Sequence, residues 1–444
     1  MAEPDSSDKP SRAEAAALRR RSVAGLNGLN FFVADMMTGF GPFITVYLTA
    51  NNWSPTDIGF ALSVGTMAAV AGQVPGGMLV DAVAQRRLIT AIGIVAVIAS
   101  AVILAAAPQY WVVLSSQFLQ GIANSLITPA IAAITLTLAH SKNLGNRLGG
   151  NVRYKALGSM LTAIFMGYVG NKYGTGTVFY VSAVFGGLAL ACLSMISGVD
   201  IINAPQRTAH PSAIHKSQRK EPMRRKRELW RDPMLLTFSG CVFMFHLSNA
   251  AVLPFAVAAI ESQGIKNTDL FVSIALVVSQ AVVAVIAPYV GGLAEKRGRR
   301  LILLAGFSAL ALRCVLLAVY HGPFGLVAYQ VLDGISGAAI GVMVPLIVSD
   351  ITQRGGRFNF AMGFVGLFMS VGATLSTTIA GFVTQHFGVS TAFIFLAATA
   401  GLGCLLVTFA LPETGSDVPT KAERKEARRG LRPSTPPGAE PLDL

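Results

Sequence analysis

The stretch Gly291-Gly292-Leu293-Ala294-Glu295-Lys296-Arg297-Gly298-Arg299-Arg300 stands between two long apolar runs, near 268–293 and 301–320. Each run approaches the ~20 residues an α-helix needs to cross a bilayer. Glycines, an acid and a tight cluster of bases at their junction read as a short charged loop between two membrane helices. A related stretch lies 214 residues upstream, Gly77-Met78-Leu79-Val80-Asp81 followed by Arg86-Arg87. Gly167-Tyr168-Val169 recurs as Gly381-Phe382-Val383 at the same offset of 214, and Gln117-Phe118-Leu119-Gln120-Gly121 recurs as Gln330-Val331-Leu332-Asp333-Gly334 at 213. Matches in chain order at one spacing mark the second half as a copy of the first, in the same orientation.

The composition agrees with that reading. Of 444 residues 53% are apolar and 13% charged, with a mean hydropathy of +0.58, whereas soluble domains are about 25% charged. A water-exposed surface cannot be built from this chain, which excludes a soluble enzyme, a nucleic-acid-binding domain and a disulfide-stapled secreted fold. Hydropathy predicts spans near 23–49, 55–80, 88–107, 111–139, 150–170 and 175–197, then 233–260, 268–293, 301–320, 323–349, 358–384 and 390–411. The expected organisation is a tail (1–22), a six-helix bundle (23–197), a basic linker (198–232), a second six-helix bundle (233–411) and a disordered tail (412–444). Cys192, Cys241, Cys314 and Cys404 all fall in apolar runs without a C-x-x-C pair and read as small hydrophobes.

The net charge of +13 is a topology signal. The N-terminal tail, the links 2–3, 4–5, 6–7, 8–9 and 10–11 with the span ends beside them, and the C-terminal tail hold 32 of the 35 Lys and Arg. The opposite side has Lys172 and Lys266, and Arg313 lies inside a span. Bases stay cytoplasmic during insertion, so both termini are expected inside and no nucleic-acid partner is expected. Arg224-Arg225-Lys226-Arg227 and a short helix over Lys421 to Arg429 are expected to lie on anionic headgroups.

The paired G-x-L-x-D/E…R-R loops resemble the signature loop of the major facilitator superfamily. The second copy is close to the full consensus, and the first has Ala84 where a glycine is usual. Twelve spans, inside termini, a long central loop and the closing Leu411-Pro412-Glu413-Thr414 extend the resemblance over nearly the whole chain. It implies an all-α integral membrane fold of twelve helices in two pseudo-symmetric six-helix bundles that rock about a central cavity.

The loop also has a reading of its own. Gly77 and Gly291 lack a Cβ and let a neighbouring helix approach. Asp81 and Glu295 are expected at the cytoplasmic ends of spans 2 and 8, within reach of Arg86 and Arg299, where an acid can also cap a neighbouring helix N-terminus. These six residues are read as a conformational latch. The alternative is a topology-determining basic loop with no moving part.

Ionisable groups inside spans ask for an explanation, because each costs roughly 2.5–3.5 kcal/mol at the bilayer centre. Asp35 in span 1, His246 in span 7 and Asp333 in span 10 are expected near mid-depth. At 100° per residue Asn27, Asn30, Asp35, Thr38, Gly41 and Thr45 share one face of span 1. Gln117, Gln120, Gly121, Asn124, Thr128 and Thr135 share one face of span 4, and Ser239, His246 and Asn249 align on span 7. Gln330, Asp333, Gly334, Gly337 and Gly341 do so on span 10. The resemblance implies that spans 1, 4, 7 and 10 line the cavity.

Asn30, Asp35, Gln117, Gln120, Asn124, His246, Asn249, Gln330 and Asp333 are therefore the candidate substrate-binding or proton-coupling residues, although a polar stripe also serves as helix–helix glue. Asp35 is the expected proton carrier, and Asp333 a second carrier or the counter-charge of a cationic substrate. Arg313 is expected to snorkel outward to the headgroups. Pro42 and Pro254 are expected to let spans 1 and 7 bend.

Two features differ from the drug/proton antiporters that the chain otherwise resembles. Span 4 has Gln117 where they usually carry arginine, and residues 156–170 contain no proline. The expected activity is secondary active transport of a small organic solute across the bacterial cytoplasmic membrane, as proton-coupled efflux. The alternatives are proton-coupled uptake and a non-transporting membrane sensor. No enzyme activity, metal or cofactor is expected, and the expected partners are the small-molecule substrate, protons and the bilayer.

Overall fold

The computed structural model describes residues 12–38, 44, 47–48, 50–53, 55–83, 85–139, 144–197, 231–262, 268–352 and 357–414. Most of the basic linker, the cluster at 224–227, the tail beyond 414 with its expected surface helix, and the residues around Pro42 lie outside that set.

The described residues form fourteen helices. In the first half these are α1 (Arg12–Thr38), α2 (Pro55–Ala82), α3 (Arg86–Ala106), α4 (Tyr110–Leu138), α5 (Leu144–Tyr173) and α6 (Thr177–Ser194). In the second they are α7 (Pro233–Asn249), α8 (Val252–Ser262), α9 (Thr268–Arg297), α10 (Arg299–Val319), α11 (Pro323–Ala328), α12 (Gln330–Thr352), α13 (Phe358–Phe387) and α14 (Val389–Phe409). Ten stretches are long and apolar enough to cross a membrane, with α7 and α8 sharing one and α11 and α12 another. Helices α1 and α5, which carry bases towards their cytoplasmic ends, complete a set of twelve.

The division of the seventh span has a local cause. Pro254 has no N–H to give the helical ladder, so the chain breaks between Asn249 and Val252. The Ala251 N–H is taken instead by the Ser376 hydroxyl of α13 at 3.1 Å. Near Pro254, where bending was expected, the helix is interrupted, and the interruption has a side-chain partner from another helix.

Packing repeats between the halves. Helix α4 lies against α2 and α3, as α12 lies against α9 and α10; α1 lies on α5 and α6, as α7 lies on α13 and α14; α3 meets α6, as α10 meets α14. Each half has its own core, around Leu26, Ile94, Ile127 and Phe179 in the first and Phe238, Phe307, Leu346 and Phe393 in the second. Lipid removes most of the hydrophobic drive between membrane helices, so close approach and interhelical hydrogen bonds do the holding. Ser100 of α3 and Ser116 of α4 illustrate the second, each hydroxyl donating to the other's carbonyl at 2.8 and 3.0 Å. The two halves meet along α5 against α9 and α2 against α13.

Candidate functional site

The contacts between halves are built on the duplicated loops. At the cytoplasmic end of α2, Asp81 accepts hydrogen bonds from the Asn359 backbone N–H (3.2 Å), the Asn359 Nδ2 (2.7 Å) and the Phe360 N–H (2.7 Å), in the first turn of α13. At the cytoplasmic end of α9, Glu295 accepts from the Gly145 N–H at 2.5 Å, in the first turn of α5. The first four N–H groups of a helix have no partner within it and the helix dipole favours an anion there, so each acid caps a helix of the other half. The offset of 214 that relates Asp81 to Glu295 also relates Gly145 to Asn359, so one contact is the pseudo-symmetric image of the other.

The glycines make those approaches possible. A Cβ on Gly77 would overlap the Asn359 carbonyl, and one on Gly291 the Gly145 carbonyl. Further into the membrane Gly149 lies against the Ala287 carbonyl and Gly363 against that of Gln73, again images at 214. Gln73 Nε2 then donates to Ser370 Oγ at 2.8 Å between α2 and α13.

Arg299 has a partner that sequence reasoning did not name: its Nε bonds Asp350 of α12 at 3.0 Å. Glu413, in the closing motif, accepts from the Arg299 and Arg300 N–H groups at 2.7 and 3.2 Å and so caps α10, while Thr414 donates to Asp350 at 3.0 Å.

Within the second half the structure corrects the expectation for Arg313. Its side chain does not snorkel to the headgroups but is 3% exposed and ion-paired to Asp333. Arg313 Nη1 donates to Asp333 Oδ1 and to Asn249 Oδ1 (3.2 Å), and Nη2 donates to Gln330 Oε1 at 3.1 Å. Ser279 of α9 donates to the second Asp333 oxygen at 2.6 Å. The reason is energetic: each charge alone is costly in the bilayer, and pairing with further hydrogen bonds offsets that cost. A signal was present in the sequence. Arg313 and Asp333 stand ten residues either side of Pro323, where the chain turns between spans, which puts them at equal depth on adjacent helices. The carboxylate of Asp333 therefore has an internal counter-charge, although a quarter of its side chain remains exposed.

The structure thus joins Asn249, Gln330 and Asp333 of the candidate set, and adds Arg313 and Ser279. Among the described side chains of the first half, no hydrogen bond joins one candidate to another. Asn30 donates back to the Leu26 carbonyl of its own helix at 2.8 Å, and Gln120 reaches the Met36 carbonyl at 3.4 Å. Gln117 is buried against Gly65. The Asp35 side chain lies outside the described residues. His246 lies edge-on to Phe245 at 5.5 Å between ring centroids. Gln117 Nε2, Asn124 Oδ1, Arg313 Nε and Gln330 Nε2 are buried without a protein hydrogen-bond partner. Most buried polar groups are satisfied; six further buried polar atoms, those of Gln73, Arg147, Asn151, Ser239, Asn359 and Thr384, are unpartnered in the same way. Among the described residues no three His, Cys, Asp or Glu side chains are grouped to hold a metal.

Comparisons with known proteins bear on the family and fold of the chain. A family model described as Major Facilitator Superfamily matches residues 26–257 and 238–439. An uncharacterized MFS-type transporter of Mycobacterium tuberculosis is 33% identical over 408 residues, which is 90% of this chain and 96% of the relative. The agnestins efflux protein of Paecilomyces divaricatus is 24% identical over 386 residues, 85% of this chain and 83% of that protein. The multidrug resistance protein MdtG of Klebsiella pneumoniae is 24% identical over 187 residues, 41% and 45% of the two chains. Among solved structures, the transporter FucP in its outward conformation superposes with a TM-score of 0.66 at 14% identity, over 88% of this chain and 98% of that one.

Proposed function

Because the chain belongs to the Major Facilitator Superfamily and is a multi-pass membrane transporter, we propose that it exports a small organic solute across the bacterial cytoplasmic membrane by alternating access, coupled to proton entry. The observation that carries the alternating-access reading is the pair of acid-capped helix N-termini, Asp81 on α13 and Glu295 on α5. Both contacts lie at the cytoplasmic ends of the helices they join. They are individually modest, so they can be made and released within a cycle, and both must release for the cavity to open inward. Export is supported by the efflux and multidrug resistance relatives.

Asp35 is the proton carrier in this reading. Its repeat counterpart at offset 214 is Asn249, which bonds Arg313, and Ala99 occupies the position that corresponds to Arg313 in the first half. The repeat position that holds an arginine in the second half thus holds an alanine in the first. Asn30, Gln117, Gln120, Asn124 and His246, with the Arg313–Asp333 network, supply polar groups to the solute.

The test is small-molecule profiling of cells with the gene deleted and overexpressed, in cytoplasm and medium, with and without a collapsed pH gradient. A compound retained in deleted cells and expelled by overexpressing ones, in a gradient-dependent way, is the expected result. A compound left unconsumed in the medium of deleted cells would replace export with uptake. No compound shifting in either compartment would favour a sensor.

A further inference from the structure

A groove of about 530 Å³ opens on the outer wall of the first half, between α1, α5 and α6, lined by Phe31, Leu161, Thr162, Ile164, Phe165, Tyr168 and Phe185. It is apart from the cavity-lining residues discussed above, and its size is within the ~300–1,000 Å³ of ligand pockets. Leu161, Ile164, Phe165 and Tyr168 are exposed, on a surface that faces hydrocarbon rather than water. Phe165 and Phe185 stack at 6.3 Å to form a rigid wall. One turn beyond Tyr168, towards the outer end of α5, Lys172 bonds the Tyr168 hydroxyl at 3.4 Å and lies 5.7 Å from its ring centroid.

We propose that this groove is a binding site for an anionic phospholipid of the outer leaflet, with an acyl chain along Phe165 and Phe185 and the phosphate at Lys172. Two independent features single out this occupant. The outer side of the protein carries two lysines in all, Lys172 and Lys266, against 32 bases on the other side, and one of the two bonds Tyr168, a residue that lines the groove, and lies 5.3 Å from the Tyr173 ring centroid. A cation above a hydrocarbon-lined slot matches a phosphate above an acyl chain. The repeat supplies the second feature. The second half has Thr378, Ile379, Thr399 and His386 at the positions of Ile164, Phe165, Phe185 and Lys172. The shared framework therefore does not demand the aromatic wall or the lysine. The site is independent of the transported solute, and holding a lipid there would brace α5, one of the two helices through which the first half meets the second.

The test uses the full-length protein reconstituted in vesicles of equal phosphatidylglycerol and phosphatidylcholine, extracted gently and weighed intact by mass spectrometry. The wild type should retain phosphatidylglycerol in preference, and Lys172→Gln should reduce that preference about fivefold, the weight of one lysine at a lipid surface. Leu161→Trp, which fills the groove, should reduce retention of both lipids. Both side chains are exposed, and an unchanged melting temperature would establish that each variant is folded. Unchanged preference in Lys172→Gln, or unchanged lipid retention in folded Leu161→Trp, would overturn the proposal. So would a protein dimer that Leu161→Trp disrupts, because the groove would then be a subunit contact.

Discussion

Arg313 and Asp333 are each expensive alone in a bilayer and tolerable together, which makes the pair a residue-scale determinant of where α10 and α12 meet. Removing one partner of a buried pair leaves the other charge uncompensated and costs about 3–5 kcal/mol. Arg313→Ala is therefore expected to lower the melting temperature in detergent sharply, and Arg313→Met with Asp333→Leu to recover most of the loss. A double variant as unstable as the single one would mean that the pair does more than cancel charge. For Asp35 the prediction concerns coupling: Asp35→Asn should abolish the dependence of transport on a pH gradient while solute binding, measured by calorimetry, persists. Transport that stays equally gradient-driven in Asp35→Asn would remove it as the carrier. Both acids were legible as candidates from their position in apolar spans. The role of Arg313 was present only in its spacing from Asp333 about Pro323, because a base in a span taken by itself is equally compatible with snorkelling.

At the scale of elements, α13 and α5 each begin against an acid of the opposite half. An N-terminal cap contributes about 1 kcal/mol, roughly a fivefold change in a conformational equilibrium. Asp81→Asn should shift the protein towards the inward-open form by about that factor, read as faster thiol labelling of a cysteine placed on the cytoplasmic side of the cavity. Because Asp81 and Glu295 stabilise one proposed closure through separate partners, Asp81→Asn and Glu295→Gln should add in a double-mutant cycle; a large interaction energy would mean that the two contacts are not released together as independent supports of one state. The break between α7 and α8 gives a separate expectation. Ser376→Ala leaves the Ala251 N–H unpaired in a buried site and should cost about 1–3 kcal/mol, measured as a fall in thermal stability. The acids and their glycines were readable from the repeated loop. The helices that donate to them were not, because nothing local to Asp81 points to Asn359, 278 residues away.

For the whole molecule, the repeat governs both the folding of each half and the way the halves meet. Packing inside one bundle is the image of packing inside the other, and the contacts between bundles are exchanged by the same offset: Asp81 with Asn359 and Glu295 with Gly145, Gly363 with Gln73 and Gly149 with Ala287. The two contacts occupy matched places but are unequal, with three donors at Asp81 and the Gly145 N–H at Glu295. The departures from symmetry carry the particular chemistry. The arginine–aspartate pair, the capping of α10 by Glu413 and the Arg299–Asp350 bond belong to the second half, and the aromatic groove lies on the first.

What the sequence determined by itself was the class of fold, its orientation, its duplication and the places where polar groups enter apolar helices. Those follow from rules that act locally along the chain: a span must be apolar over its length, bases stay on one side during insertion, and a copied sequence folds into a copied bundle. What only the tertiary structure decided was which of those polar groups meet. Arg313 found its partners on two other helices, and Asp81 found its donors in the opposite half, because hydrogen-bond partners in a helical membrane protein are neighbours across helices rather than along them.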